Sequence, residues 1–534
     1  MTKKSSKALK VRVIALLVFM TITLYLSIEL CLFISDQYVF YSAVTEQGLP
    51  YYTRTQRGRY KTLSTEDKQK LKLAQKKAAT LESATNSVRI TIGLITTLVV
   101  GYLSDRFGRR VAIGVLLVGE TLHVGLVSLI VLLKLNLWLV ILPGFFEAIL
   151  GGGLLSLFGQ VAAILTDICR PEKEEENNTS AKKIQSVDRE LWILFTVFDG
   201  IASLSISAGS PIGGALIYRF SFQVAVFTSL ALLAPSLILI FCLPETNMNR
   251  GKKIVKVDSV PDIKIDGSLD DTRSIPMQFD KSLKGRIAEK LRDLKGLDPV
   301  LVIIMSVVLL GSISALADLQ YVAVYLMGPP FLWSPERVGL YSGITDVTAA
   351  VISVVFTIVI IKLDERKKAR AKANEANNVT NENTQETQRI EKHYTRQMNL
   401  LVVVLAISLL MLIINRTAVG LAHKFQLPTA DIIIYVAAVP RLMKSFCIPL
   451  ARTMFSICTP PSKQGMIQSV GAFVSRIGFL ISLTVLPAIY AATVLTFPET
   501  VFIVVVILIA ITLIIDLCIP IVIKRENAKL KAAS

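Results

Sequence analysis

The sequence predicts an all-α membrane protein in which twelve transmembrane helices form two pseudo-symmetric six-helix halves. Three observations predict it. Apolar runs of about 20 residues, the length needed to cross lipid, recur along the chain. Hydrophobic residues make up 52% of it and the mean hydropathy is +0.57, an apolar content that soluble domains seldom carry. A long polar stretch, 247–297, divides the runs six and six. Lipid offers no partner to backbone N–H and C=O groups, so each run reads as a helix.

In order, the runs cover 12–35, 85–103, 111–133, 137–166, 190–216, 222–243, 298–325, 338–361, 399–415, 429–456, 466–490 and 498–523. The first is long and lacks a small-residue cleavage pattern after it, which argues against a signal peptide. The lysine-rich residues 1–11 and the tail 524–534 both belong in the cytoplasm by the positive-inside rule, as an even number of crossings requires. The loop at about 40–84 contains RTQRGRYKT and DKQKLKLAQKK, yet parity places it outside. Long loops follow the charge rule weakly. The N-terminal half then covers 12–246 and the C-terminal half 298–523.

Two polar segments interrupt this plan. Within 247–297, KSLKGRIAEKLRDLKG sets Leu283, Ile287, Leu291 and Leu294 at helical spacing. It reads either as a cationic amphipathic helix on the inner leaflet or as a solvated linker helix. The loop 363–398, with KANEANNVTNENTQETQ, reads as disordered. The net charge of +18 sits between membrane spans, so a nucleic-acid partner is rejected and the lipid bilayer is the expected one.

Between helices 2 and 3 stands GYLSDRFGRR, residues 101–110. Gly108 permits a reversed backbone in a tight turn. Asp105 can accept hydrogen bonds from a neighbouring helix N-terminus. Arg109 and Arg110 can pair with carboxylates at other helix ends, and Asp167, at the inner end of helix 4, is a candidate partner. The alternative is charge placed for topology alone. The full pattern resembles the signature loop of the major facilitator superfamily. The corresponding loop after helix 8 reads KLDERKKAR, where Asp364, Lys367 and Lys368 match but the glycine is absent. Helix 5 carries GSPIGG, 209–214, which resembles the glycine-proline motif of that superfamily, and helix 6 ends in PET, Pro244 to Thr246. Two related halves fit the same plan.

A closer resemblance lies in the C-terminal half. RTMFSICTPPSKQG, with Arg452, Ser456, Gln464 and Gly465, followed by Tyr490 to Thr493 in YAAT, is similar to helices 10 and 11 of the proton-coupled folate transporter family, solute carrier family 46. PPFLWSPERVGLYSG, 329–343, resembles the outer pattern of the same family. The resemblance implies import of an organic anion driven by a proton gradient. It implies gating roles for Asp105 and Arg109, and a proton- and substrate-linked role for Arg452. Counting back from Gly213 sets Asp199 where the family has a proton-coupling glutamate. The disulfide of that family is not expected, because all six cysteines lie in or near spans or inner loops. The family's acidic residue in helix 4 falls near Gly151-Gly152-Gly153.

The residues support a charge-based reading on their own. Charge inside a membrane is expensive and marks pathways. Helix 10 holds Arg441, Lys444 and Arg452, which share roughly an 80° arc at about 100° per residue. Arg476 adds a cation in helix 11. These are candidate substrate-binding groups for a carboxylate or phosphate; structural pairing, or snorkelling for Arg452, is the alternative. Thr196, Asp199, Ser203, Ser207 and Ser210 share one face of helix 5, which suits a wet cavity wall with Asp199 as a proton carrier; a structural hydrogen-bonding Asp at a helix contact is the alternative. Glu120 and His123, one turn apart, form either a proton relay or a structural pair. Glu29, Glu147, Asp318, Asp346 and Asp516 are further intramembrane acids without an assigned role. The sequon Asn415-Arg416-Thr417 is the best glycosylation candidate.

No enzyme reading survives: the chain has no Walker loop, no metal-ligand spacing among its three histidines and no nucleophile elbow. No cofactor and no metal are expected, with protons as the coupling ion. The expected function is import of a small anionic solute, folate-like or another anionic metabolite, by alternating access. A proton-independent facilitator or exporter of amphipathic compounds, and a non-transporting receptor or scaffold, are the competing readings. The plasma membrane and an acidic organelle both provide a suitable gradient.

Overall fold

A computed structural model describes residues 3–49, 64–169, 181–246, 299–317, 321–375, 382–458 and 464–533. The helix proposed at 281–294 and Asp318 lie outside the described residues. The chain crosses the bundle twelve times. The N-terminal half holds α1 (Lys3–Glu46), α2 (Thr65–Phe107), α3 (Arg109–Leu133), a broken α4 (Ile141–Ile149 and Leu154–Cys169), α5 (Ala181–Arg219) and α6 (Phe222–Cys242). The C-terminal half holds α7 (Pro299–Leu316, then Tyr321–Met327), α8 (Pro335–Glu375), α9 (Glu382–Ala422), α10 (Thr429–Arg441 and Cys447–Ile457), α11 (Gln464–Leu480 and Leu486–Thr493) and α12 (Thr500–Ala533). Both described chain ends lie at one end of the bundle, called here the terminal end; the opposite end is the distal end.

The halves repeat one packing scheme. α1 packs on α5 and α6, α3 on α4 and α6, and α2 on α4; correspondingly α7 packs on α11 and α12, α9 on α10 and α12, and α8 on α10. Pseudo-symmetry therefore survives in the contacts where the loop motif has decayed. The outer surface is apolar: Phe227, Ile238, Phe241, Val439, Ile514 and Ile521 are all more than half exposed. A surface of that kind needs a lipid solvent.

Two expectations are corrected. The basic stretch near residue 70 is helix, not loop. Ser64 caps α2, its Oγ accepting the Asp67 N–H at 3.1 Å, and Glu66 and Asp67 sit in the first turn, where the helix dipole favours acids. Lys, Gln and Ala then extend the helix while Leu71, Ala74, Gln75 and Ala78 bury one face. The segment 363–398 is also largely helical, because α8 runs to Glu375 and α9 starts at Glu382. ERKKARAKANE is built from strong helix formers.

The halves meet along two seams. α5 packs antiparallel on α8, where Ser210 and Pro211 lie against Gly339 and Gly343, and a Cβ on Gly214 would come within 2.6 Å of the Pro335 carbonyl. α2 packs on α11 and on the end of α7: Ser83 Oγ donates to the Thr484 carbonyl at 2.7 Å, and Gln75 Nε2 donates to the Val324 carbonyl at 2.7 Å and to Tyr490 Oη at 3.1 Å. Arg219 reaches Glu336 at 3.7 Å. These contacts lie in the distal half of the bundle. The π-turn Ile481–Val485 offsets α11 at the point where Thr484 accepts Ser83.

Candidate functional site

The terminal-end turn is built around Gly108, whose φ of 108° suits glycine. The capping acid is Glu245 of the PET segment, and this corrects the expectation for Asp105. Glu245 Oε1 accepts the Arg109 N–H at 2.8 Å and Oε2 the Arg110 N–H at 3.3 Å, so its carboxylate sits on the N-terminus of α3. A side chain at position 108 would collide with that carboxylate. Asp105 instead accepts from Arg109 Nη1 at 2.7 Å, one turn along the chain. Arg109 Nε donates to Asp167 at 2.8 Å and Nη1 to Ser104 Oγ at 2.8 Å. Arg110 Nη2 donates to the Phe241 carbonyl at 3.0 Å. The turn thus ties the terminal ends of α2, α3, α4 and α6 together.

The second cluster lies in the C-terminal half. α10 passes into a 3₁₀ turn at Leu442–Phe446. In such a turn residues i and i+3 eclipse, so Arg441 and Lys444 project together. Both reach Asp346 of α8: Arg441 Nη2 at 3.2 Å and Lys444 Nζ at 2.6 Å. Arg441 also donates to Thr345 Oγ1 and lies 5.4 Å over the Tyr341 ring. The turn replaces the uniform helical arc expected for Arg441, Lys444 and Arg452. The Arg452 and Asp199 side chains lie outside the described residues; their backbones are helical. Asp346 is one turn past Gly343 on the α8 face that meets α5. Across that seam, Glu29 of α1 packs on Gly209 and accepts from Ser210 Oγ at 3.3 Å. Arg476 is half-buried with no ion pair among the described residues.

The third cluster lies inside the N-terminal half. Gly151, Gly152 and Gly153 break α4 with φ of 135°, 77° and 64°. The break turns the preceding Glu147 inward and frees carbonyls that hydroxyls recover: Thr96 Oγ1 donates to Ala148 O at 2.5 Å. His123 Nδ1 lies 2.6 Å from Glu147 Oε2, and Arg89 Nη1 lies 3.9 Å from the same oxygen. His123 therefore pairs with Glu147, and not with Glu120 as its spacing suggested. Glu120 is fully buried and neither carboxylate oxygen has a hydrogen-bond partner. Beside this group is a small cavity whose wall includes Asp36, Glu82, Asn86, Arg89 and His123.

Sequence reasoning missed Asp36, Glu82 and Arg89. Glu82, Asn86 and Arg89 fall at i, i+4 and i+7, one face of α2, which was a readable signal. Starting helix 2 at 85 and ending helix 1 at 35 hid it. The glycosylation expectation is overturned: Asn415 is fully buried, with Nδ2 donating to the Ala437 carbonyl at 2.7 Å, so no glycan can be attached in the folded protein. At the distal end, Glu499 meets His423 and Lys424, each at 3.4 Å. Burial opposes its charge, but its own backbone N–H, His423 and Lys424 hold its carboxyl below the usual range.

Twelve passes, two halves with one repeated packing scheme and a glycine turn locked by helix-end charges define the major facilitator fold. Solved structures of that fold match almost the whole chain. The human organic anion transporter MFSD10 (TETRAN) is similar at 14% identity, with 95% of this chain and 99% of that one covered and a TM-score of 0.51. The nucleoside transporter NupG matches at 10% identity over 96% and 99%, TM-score 0.54. A POT family transporter in complex with 5-aminolevulinic acid matches at 13% identity over 96% of each chain, TM-score 0.55. Likeness at these identities establishes the fold. No family model and no curated protein sequence matches the chain.

Proposed function

We propose that the chain is a secondary transporter that moves a small organic anion across a membrane by alternating access, coupled to protons. The observation that carries the reading is the Arg441–Lys444 pair. Two cations stand at the inter-half seam in the middle of a lipid-exposed bundle, and both close on the single carboxylate of Asp346. A site of that kind has excess positive charge for a carboxylate or phosphate to take up, and Asp346 holds the cations between cargoes. Arg476 and Arg452 are proposed for the same anion-binding role.

The terminal end is assigned to the cytoplasm by the basic chain ends. The distal seams then form the outer closure, and the Arg109–Asp167–Asp105 turn braces the inner ends of the N-terminal half. The proton carriers are assigned to Asp199, Glu120 and His123, with Glu147 as the partner of His123. The motifs around Arg452, Gln464 and Tyr490 favour the proton-coupled folate transporter family, and the organic anion transporter among the structural neighbours fits the same cargo class. The POT neighbour bound to 5-aminolevulinic acid favours small carboxylates in general.

The test is uptake of a labelled carboxylate panel, including a reduced folate, into vesicles at mildly acidic and neutral external pH. Wild type is compared with Arg441→Gln and Asp199→Asn at equal protein content. Acid-stimulated uptake of one anion is expected, abolished by Arg441→Gln and made insensitive to pH by Asp199→Asn. Uptake without pH preference removes the coupling and leaves a facilitator. No uptake of any anion contradicts the transporter reading.

A further inference from the structure

The two halves present opposite charge. On the C-terminal side, Arg441 and Lys444 both close on one carboxylate, Asp346. On the N-terminal side the balance reverses. The cavity wall carries Asp36 and Glu82 with a single guanidinium, Arg89, whose charge is shared between Asp36 and Glu147, the latter 3.9 Å away. Neither Asp36 nor Glu82 has an ion pair among the described residues. Glu82 is 8% exposed, and its buried Oε1 has no hydrogen-bond partner although it borders the cavity. The two carboxylates lie within electrostatic reach of each other. Two such carboxylates in apolar walls need a cation or a shared proton. Among the described residues no group of side chains is fit to hold a metal ion.

We infer that Asp36 and Glu82 form a subsite for an ammonium group, so that the cargo is dipolar: its carboxylate meets Arg441 and Lys444, and its amine enters the cavity of the N-terminal half. The inference rests on the transporter reading and narrows its substrate class. The cavity is small and suits an ammonium head, with the rest of the cargo left outside it. α1 sets the length. Asp36 and Glu29 are seven residues apart on one face, roughly 10 Å along the axis, and Glu29 stands at the seam beside Ser210. That separation matches about three extended residues of peptide. A short peptide or an ω-amino acid derivative has this charge spacing.

Uptake of labelled alanine peptides of two to four residues is compared with uptake of their N-acetyl counterparts, which keep the carboxylate and lose the ammonium. For at least one length, wild type is expected to prefer the free amine by roughly tenfold, the worth of one charge-assisted contact. Glu82→Gln, and separately the near-isosteric Asp36→Asn, should bring that ratio toward one. A proton site would instead shift the pH profile of both members of a pair equally, and that result overturns the inference. Equal uptake within every wild-type pair, or preference for the acetylated member, also overturns it. So does a full preference retained in both variants. Failure of both peptide series, with simple carboxylates still transported, rejects the dipolar cargo and leaves the transporter standing; failure of every compound rejects both.

Discussion

At the scale of single residues, the terminal-end turn distributes its charges unequally, and that sets what each substitution does. Arg109 keeps Asp167 and Ser104 when Asp105 is removed, and Asp105 is largely exposed. Asp105→Ala should therefore lower uptake by a few-fold at unchanged surface level, since exposed pairs contribute about 1 kcal/mol or less. Unchanged uptake at equal expression would remove its gating role. Asp346→Asn acts differently, because it strips the shared counter-charge from Arg441 and Lys444. The ligand-free protein should lose about 2–4 kcal/mol of stability. Added organic anion should then raise its melting temperature more than it does for wild type. A smaller anion-induced rise in the variant would place the anion elsewhere.

At the scale of elements, the irregular segments are the informative ones. The glycine break in α4, the 3₁₀ turn in α10 and the π-turn in α11 each aim a polar group that an unbroken helix would misdirect. Gly153→Ala imposes a side chain at φ 64° and drives it into Glu147. A loss of about 1–3 kcal/mol, seen as a lower melting temperature, is expected, together with impaired uptake from a displaced Glu147–His123 pair. The Glu499 contacts tie α12 to the end of α9. The folded carboxyl lies below its ordinary value of 4.5, so its contribution is complete above that pH and fades only as pH falls through the lower folded value. Mild acidity leaves it intact. Glu499→Gln should therefore leave the ratio of acid to neutral uptake unchanged; a lost ratio would make this contact the pH sensor.

Legibility followed the physics of each scale. The fold was readable because lipid imposes helices and run length counts them. The Arg109–Asp167 pair was readable because both residues sit at helix ends on one side. Arg441 and Lys444 were readable as intramembrane cations, but their common partner Asp346 was not, since pairing between α8 and α10 is tertiary. His123 looked like the partner of Glu120 because helical spacing is local; Glu147 wins by the turn in α4. Asn415 was misread because a sequon carries no information on which side of a helix faces the core. The start of α2 was missed because lysines in an amphipathic helix lower hydropathy without ending the helix.

At the scale of the whole molecule, two six-helix halves meet along distal seams beside their charged clusters. Carrier function requires those seams to open. The Ser83–Thr484 contact between α2 and α11 is the place to hold them shut. The most direct measurement introduces cysteines at these two positions, bridges them with a short cleavable thiol cross-linker and follows uptake of the transported anion in vesicles. Single-cysteine variants treated alike serve as controls. The account predicts that the bridge stops uptake and that cleaving it restores uptake. Uptake at full rate with the bridge intact would contradict alternating access through these seams.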